Sequence, residues 1–263
     1  MISRHVLSSL RKLGAAPARV AYEFVTTFRG PFHGVFDSYE AAVRAIPKGA
    51  RVGHDHADMV RMYMHTLHRA RPSDYPVLFW LSRILTEGTT VFDYGGHVGV
   101  SYYRFEGYLN YPKGLQWRVC DMPEITRAGE EIARERGNPP LFFCNQFEAG
   151  DGADVLLAFG ALQYIPISLA QSISGWRRRP QYIVLNRVPL YPGPAFVTLE
   201  NPGFFCPYQV FNHDEFVKSI CELGYELVDS WPTPDWPCHI PWNLSRSFDA
   251  HTGLYFRAQP SIV

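Results

Sequence analysis

The run Asp93-Tyr94-Gly95-Gly96-His97-Val98-Gly99 carries more potential chemistry than any other stretch of this chain. It follows a short apolar segment, Thr90-Val91-Phe92, and precedes an aromatic-rich stretch able to form a helix. Glycines at such a strand-to-helix turn let the backbone approach a ligand closely, because no Cβ stands in the way. The N–H groups that open the following helix then offer partial positive charge to an anion. Asp93, at the end of the strand, is expected to accept hydrogen bonds from a ligand hydroxyl or ammonium group. These are the parts of a nucleotide-type site. NAD fits it poorly, since a dinucleotide turn needs G-x-G-x-x-G. Counted from Gly95 the second glycine falls on His97, and counted from Gly96 it falls on Val98.

A second acid stands where such a site needs one. Gln116-Trp117-Arg118-Val119-Cys120-Asp121 reads as a strand ending in a carboxylate, 26 residues after Gly95. A carboxylate has two acceptor oxygens and suits a pair of ribose hydroxyls. Asp121 as a plain helix cap is the competing reading. Pro123 and Glu124 suit a helix start and Gly137 its stop. A third strand, Leu141 to Cys144, ends at Asn145. A fourth, Asp154 to Phe159, runs into Gly160-Ala161-Leu162-Gln163-Tyr164.

The D-x-G-G-x-x-G spacing resembles the first motif of the class I S-adenosylmethionine-dependent methyltransferases, usually D-x-G-x-G-x-G, with His97 at the middle glycine. Further segments are similar to one family of assigned methyltransferases often encoded among bacterial surface-polysaccharide genes. They are Ser73 to Leu81, Cys120 to Glu124, Leu162-Gln163-Tyr164, Leu185 to Leu190, Phe211 to Phe216 and Leu223 to Asp229. The similarity runs from about Phe32 onward. It implies S-adenosylmethionine as cofactor, held by Asp93, Tyr94, Gly95, Gly96, Gly99, Asp121, Asn145 and Gly160. It implies a methyl acceptor that is a small molecule or a glycan, most readily a sugar hydroxyl. Methylation of a carboxylate on a small metabolite, and a non-catalytic cofactor-binding scaffold, stay open beside it.

Methyl transfer is an in-line displacement in which the protein aligns the acceptor and excludes water. A hydroxyl acceptor also needs its proton removed, whereas a carboxylate does not. Gln163, Tyr164, Asn186 and Arg187 follow the fourth and fifth strands into the region where ligands bind. Gln163 cannot be a base but can orient a ligand. Tyr164 can face a sulfonium through its ring. Arg187 can hold a carboxylate or phosphate by paired bonds, or make a simple ion pair. His213 is the expected base, unless Asn212 caps the helix there and His213 is incidental. His54 and His56 are the next candidates. Ala158-Phe159-Gly160 offers no acidic ligand after the fourth strand, so no metal is expected.

The elements that must position these residues alternate strand and helix, which predicts an α/β fold. We expect a Rossmann-like, doubly wound, mainly parallel seven-stranded sheet over residues 89–263, with a helical N-terminal cap over residues 1–88. Later elements fall at Gln181 to Asn186, Asp214 to Leu223, Tyr225 to Trp231 and Gly253 to Arg257. The proline-rich stretch from Pro189 to Pro207 is expected to contain a short extended piece, Phe196 to Leu199, and to form a loop near the acceptor. Equal numbers of acidic and basic residues leave no electrostatic footprint for nucleic acid. Five cysteines without a C-x-x-C pattern, and no apolar run long enough to span a bilayer, predict a cytoplasmic protein. Ile2, Val6, Leu10 and Leu13 share a face in a basic N-terminal stretch over residues 1–28, which suits packing on the domain or contact with a membrane surface.

Overall fold

Apolar runs too continuous for a half-exposed strand dictate the centre of the molecule. Val91, Phe92 and Asp93 are fully buried, as are Val155, Leu156, Leu157 and Ala158, and strands buried on both faces belong in a parallel sheet covered by helices. The structure, a computed structural model, describes residues 31–50, 52, 69–137 and 139–260. The expected N-terminal amphipathic stretch, His54 and His56 lie outside the described residues.

The main sheet contains β2 (Thr90–Tyr94), β3 (Gln116–Cys120), β4 (Leu141–Cys144), β5 (Val155–Phe159), β6 (Tyr182–Val188), β10 (Tyr225–Thr233) and β11 (His251–Ala258). Their spatial order is β10-β11-β6-β5-β2-β3-β4. β4, β3, β2, β5 and β6 are parallel, and β11 runs antiparallel to both of its neighbours. This is the seven-stranded, mainly parallel sheet that the sequence predicts.

Helices cover it for local reasons. In α2 (Tyr75–Ile84), Val77, Leu78, Leu81 and Ile84 form one buried stripe. In α4 (Pro123–Glu135), proline opens the helix and Ile125, Gly129 and Ile132 face the sheet. Gly129 lies against Phe143 of β4 so closely that a Cβ would come within 2.3 Å of its ring. The short α3 (Val100–Phe105) follows β2, α5 (Leu169–Ser174) follows β5, and α6 (His213–Cys221) precedes β10.

The N-terminal part departs in one respect from the expected mostly helical cap. Besides α1 (Tyr39–Ala45), it supplies a strand, β1 (Phe32–Phe36). β1 pairs with β8 (Phe196–Glu200), which pairs with β9 (Cys206–Asn212), which pairs with β7 (Leu190–Tyr191). The proline-rich stretch supplies β7, the expected extended piece as β8, and the start of β9, and the expected boundary at residue 88 cuts through a shared sheet. The reason is side-chain burial: Phe32 packs edge-on against Tyr208 at 5.0 Å, inside a cluster with Phe196 and Val210. That pairing spans most of the chain, and local spacing carries no sign of it.

One buried carboxylate ties this N-terminal part to the main sheet. Asp74, 0% exposed, ends a short 3-10 turn, Pro72–Asp74, just before α2. Its Oδ1 accepts from Arg187 Nη2 at 2.7 Å and from Asn186 Nδ2 at 3.4 Å. Its Oδ2 accepts from Arg104 Nη1 at 3.2 Å and from the Arg71 backbone N–H at 2.9 Å. Removing one partner of a buried ion pair typically costs about 3–5 kcal/mol, because the remaining charge stays desolvated. Asp74→Ala should therefore lower unfolding free energy in urea by that amount, and a loss under about 1 kcal/mol would show that the network does not hold the fold.

Candidate active site

The carboxyl ends of β2 to β6 open on a cavity of about 800 Å³. The chain runs outward from β2 to β3 and β4, then crosses back to β5 on the other side of β2. Reversals of this kind leave a crevice beyond the strand ends, where ligands of α/β proteins bind.

The glycine turn builds one wall. Gly95 has a left-handed backbone, φ +70°, and donates its N–H to the Cys120 carbonyl at 2.8 Å. A Cβ there would fall 2.3 Å from the Ala161 Cβ, so the turns after β2 and β5 touch across the crevice. His97, at the motif's middle-glycine position, also has a left-handed backbone, φ +57°. Histidine enters that region more readily than most side chains. The His97 N–H donates to Asp121 Oδ2 at 2.8 Å, and the Met122 N–H donates to Oδ1 at 2.7 Å. This carboxylate lines the cavity and presents two acceptor oxygens. Asn145 also lines the cavity and fixes this wall, its Nδ2 donating to the Asp121 carbonyl and to Thr126 Oγ1. Tyr94 lines it beside Phe147, the two rings 4.6 Å apart, and burial pushes the Tyr94 hydroxyl up to about 12.

Asp93 is not on this wall. It is 0% exposed beneath the turn, where Oδ2 accepts from the Trp117 indole N–H at 3.0 Å. The backbone of Gly96 covers it: a Cβ at 96 would fall 2.5 Å from the Asp93 carboxyl carbon. The second glycine thus makes room for the protein's own buried carboxyl, which corrects the expectation that Asp93 and Gly96 face a ligand. Gly99 is also off the cavity. It stands at the N-cap of α3, where a Cβ would press on Leu141 at 2.8 Å.

Gly160, Gln163, Tyr164 and Arg187 form the opposite wall. Gln163 Nε2 donates to the Gly160 carbonyl at 2.9 Å, and its buried Oε1 has no partner among the described residues. The Tyr164 hydroxyl donates to Glu200 Oε2 at 2.6 Å. Glu200 is 4% exposed, and burial raises its carboxyl to about 7 against the lowering effect of that hydrogen bond. Arg187 has the ion pair with Asp74 described above and still faces the cavity.

His213 does not join them. Asn212 Oδ1 accepts from the Glu215 N–H at 2.8 Å and caps α6, while His213 Nδ1 meets the neighbouring Asp214. Cys206 and Pro207, at the start of β9, touch the cavity, and His213 follows the other end of that strand, about 20 Å away at the usual rise per residue. Its proximity in sequence to the acceptor region ran along the strand, away from the site. Met122, Phe147, Arg71 and Trp236 line the cavity, and Glu200 stands behind it, without any spacing that singles them out. Among the described residues no group of His, Cys, Asp and Glu is arranged to hold a metal ion.

No protein-family model matches the chain, and no curated protein matches it. Solved structures do resemble it in fold. The 1,6-didemethyltoxoflavin-N1-methyltransferase of Burkholderia thailandensis, solved with 1,6-didemethyltoxoflavin and S-adenosylhomocysteine bound, superposes with a TM-score of 0.51. It is 17% identical and covers 81% of this chain and 94% of its own. A protein of Galdieria sulphuraria assigned as a sarcosine dimethylglycine methyltransferase gives a TM-score of 0.50 at 12% identity, over 76% of this chain and 98% of its own. The likeness shows the fold: this chain has the Rossmann-like architecture of S-adenosylmethionine-dependent methyltransferases.

Burial of Asp93 has a measurable signature. Desolvation raises its carboxyl from 3.8 to about 7, with the Trp117 hydrogen bond opposing and the Asp121 charge reinforcing the shift. A carboxyl raised on folding stabilises the fold fully below its unfolded value and loses that contribution as pH rises through the folded one. Stability of the wild type should therefore fall between pH 4 and 7, with on the order of 4 kcal/mol due to Asp93. Asp93→Asn removes that share, so unfolding curves of the two proteins should diverge with pH; parallel curves would contradict a buried, protonated Asp93.

Proposed function

We propose that this chain is an S-adenosylmethionine-dependent methyltransferase acting, without a metal, on a hydroxyl of a sugar or glycan intermediate. The observation that carries the reading is the wall made by Tyr94, Gly95, Asp121 and Asn145 at the carboxyl ends of the parallel strands. The donor set suits the cofactor. Asp121 on the cavity wall has the two acceptor oxygens that suit ribose hydroxyls, Met122 and Phe147 offer apolar faces to a purine, and the Gln163 Oε1, without a partner among the described residues, can accept from an ammonium or hydroxyl. A cavity of about 800 Å³ has room for cofactor and acceptor together. When bound, the cofactor supplies an electrophilic methyl group on a sulfonium.

The chain's own contribution is alignment, exclusion of water and removal of a proton. In this reading Tyr164 and Glu200 take the place expected of His213. An acceptor hydroxyl against Tyr164 passes its proton to Tyr164 Oη as the tyrosine's proton moves to Glu200 Oε2, along the 2.6 Å hydrogen bond. A carboxylate poised near 7 matches the working range of a general base. The segments similar to a polysaccharide-associated methyltransferase family support the sugar acceptor. Methylation of a carboxylate is the second reading, favoured by Arg187 on the cavity wall.

Methyl-labelled S-adenosylmethionine, offered with nucleoside-diphosphate sugars and their uronic acid counterparts, separates these readings. Label in an alkali-stable methyl ether is expected; label released by mild alkali would mean a methyl ester and a carboxylate acceptor. With an ether-forming acceptor, Glu200→Gln should lower kcat by about 100-fold and abolish the rise of kcat/KM through pH 7. An unchanged profile would remove Glu200 from the proton path.

A further inference from the structure

We infer that the methyl acceptor is an anion, and that Arg71 and Arg187 bind its phosphate or carboxylate group. The inference rests on the methyl-transfer reading for the role of that anion, while the anion site itself stands on the geometry. The cavity is electrically divided. Asp121 and Glu148 lie on the wall beyond β3 and β4, whereas Arg71 and Arg187 lie on the side of β6 and Trp236. A cofactor carrying a sulfonium suits the acidic end, and a partner of opposite charge suits the basic end.

Arg187 is built for a contact it does not yet make. Its backbone sits at φ +59°, inside the final residues of β6, a left-handed conformation that is strained for a residue bearing a Cβ. Its Nη2 is fixed on Asp74, yet its buried Nε has no hydrogen-bond partner among the described residues. Strain and an unpaired buried donor at one residue are features that accumulate at ligand sites. Asp74 orients the guanidinium without exhausting its five donors.

Arg71 supplies the second cation. Its backbone N–H is held by Asp74, and its guanidinium lies over the Trp236 ring at 5.6 Å. No carboxylate pairs with that guanidinium among the described residues. Asp74 cannot neutralise it, since both of its oxygens are already engaged by Arg187, Asn186, Arg104 and the Arg71 N–H. The positive field also reaches His251, which burial, aided by Arg187, lowers to about 4 and keeps neutral. An uncharged acceptor would leave the Arg71 guanidinium facing the cavity with no carboxylate paired to it among the described residues, and one carboxylate, Asp74, shared between Arg187 and Arg104. Phosphate and carboxylate both answer a guanidinium by parallel hydrogen bonds.

Calorimetry with glucose 1-phosphate, glucuronate and glucose tests this, each titrated with and without S-adenosylhomocysteine. Binding of at least one anion, with glucose at least 10-fold weaker, is expected. Arg187→Gln and Arg71→Gln should each weaken the anion by about 10- to 100-fold, with partial recovery in Arg187→Lys. The preferred anion distinguishes phosphate from carboxylate. Glucose binding as tightly as the anions, no binding of either anion, or full anion affinity in the Arg71→Gln, Arg187→Gln double variant would each overturn the proposal. The titrations with S-adenosylhomocysteine report separately on the cofactor: anion binding by a protein that fails to bind it would remove the methyl-transfer reading and leave the anion site standing.

Discussion

The buried charge of Asp74 is the constraint on which the rest of the structure depends. One carboxylate, without exposure to solvent, joins a turn before α2 to the end of β6 and to Arg104 of α3. Those segments are distant in sequence, and the ion pairs join them beside the apolar packing of α2. A buried ion pair contributes little net stability against an apolar replacement, but losing half of it is expensive. Such a device therefore specifies an arrangement more than it strengthens one. What it specifies here is the direction of Arg187 and the path of the chain through Arg71, and hence the basic part of the cavity wall.

The opposite wall follows from a second buried acid. Asp93 supports the glycine turn from below, so that the turn presents backbone and Tyr94 to the cavity while Asp121 becomes the carboxylate in reach of a ligand. The two walls differ in charge, acidic beyond β3 and β4 and basic beyond β6. In the proposed reading a cationic methyl donor faces the acidic surface and an anionic acceptor the basic one. In that reading Tyr164 and Glu200, joined by a hydrogen bond, receive the acceptor's proton. Positioning carries most of the proposed chemistry, as expected for a transfer whose methyl group arrives already activated.

Much of this was legible in the sequence, and the reasons for the gaps are physical. The parallel strands are apolar runs of a length and spacing that admit few alternatives, and the glycine turn and Asp121 follow from the same local pattern. The second sheet was hidden because β1 and β8 are far apart in the chain and Pro189, Pro192 and Pro194 make the intervening stretch look like a loop. Asp93 was visible as an acid at a strand end, but whether such an acid faces a ligand or lies under the turn depends on what Gly96 leaves room for. His213 drew attention through its residue type, whereas Glu200 is an ordinary acid until Tyr164, 36 residues away, is brought against it. Arg187 was visible as a cation following a strand, but its orientation by Asp74, 113 residues away, and its company with Arg71 were not. Pairings that long leave no mark on local spacing.

The most direct test of the central claim is the binding of S-adenosylhomocysteine to the intact protein, measured by calorimetry beside Asp121→Ala and His213→Ala. The account predicts saturable binding that is lost in Asp121→Ala and unchanged in His213→Ala, because the first residue lines the cavity and the second lies a strand's length away. Absence of binding by the intact protein, or full binding by Asp121→Ala, would contradict it.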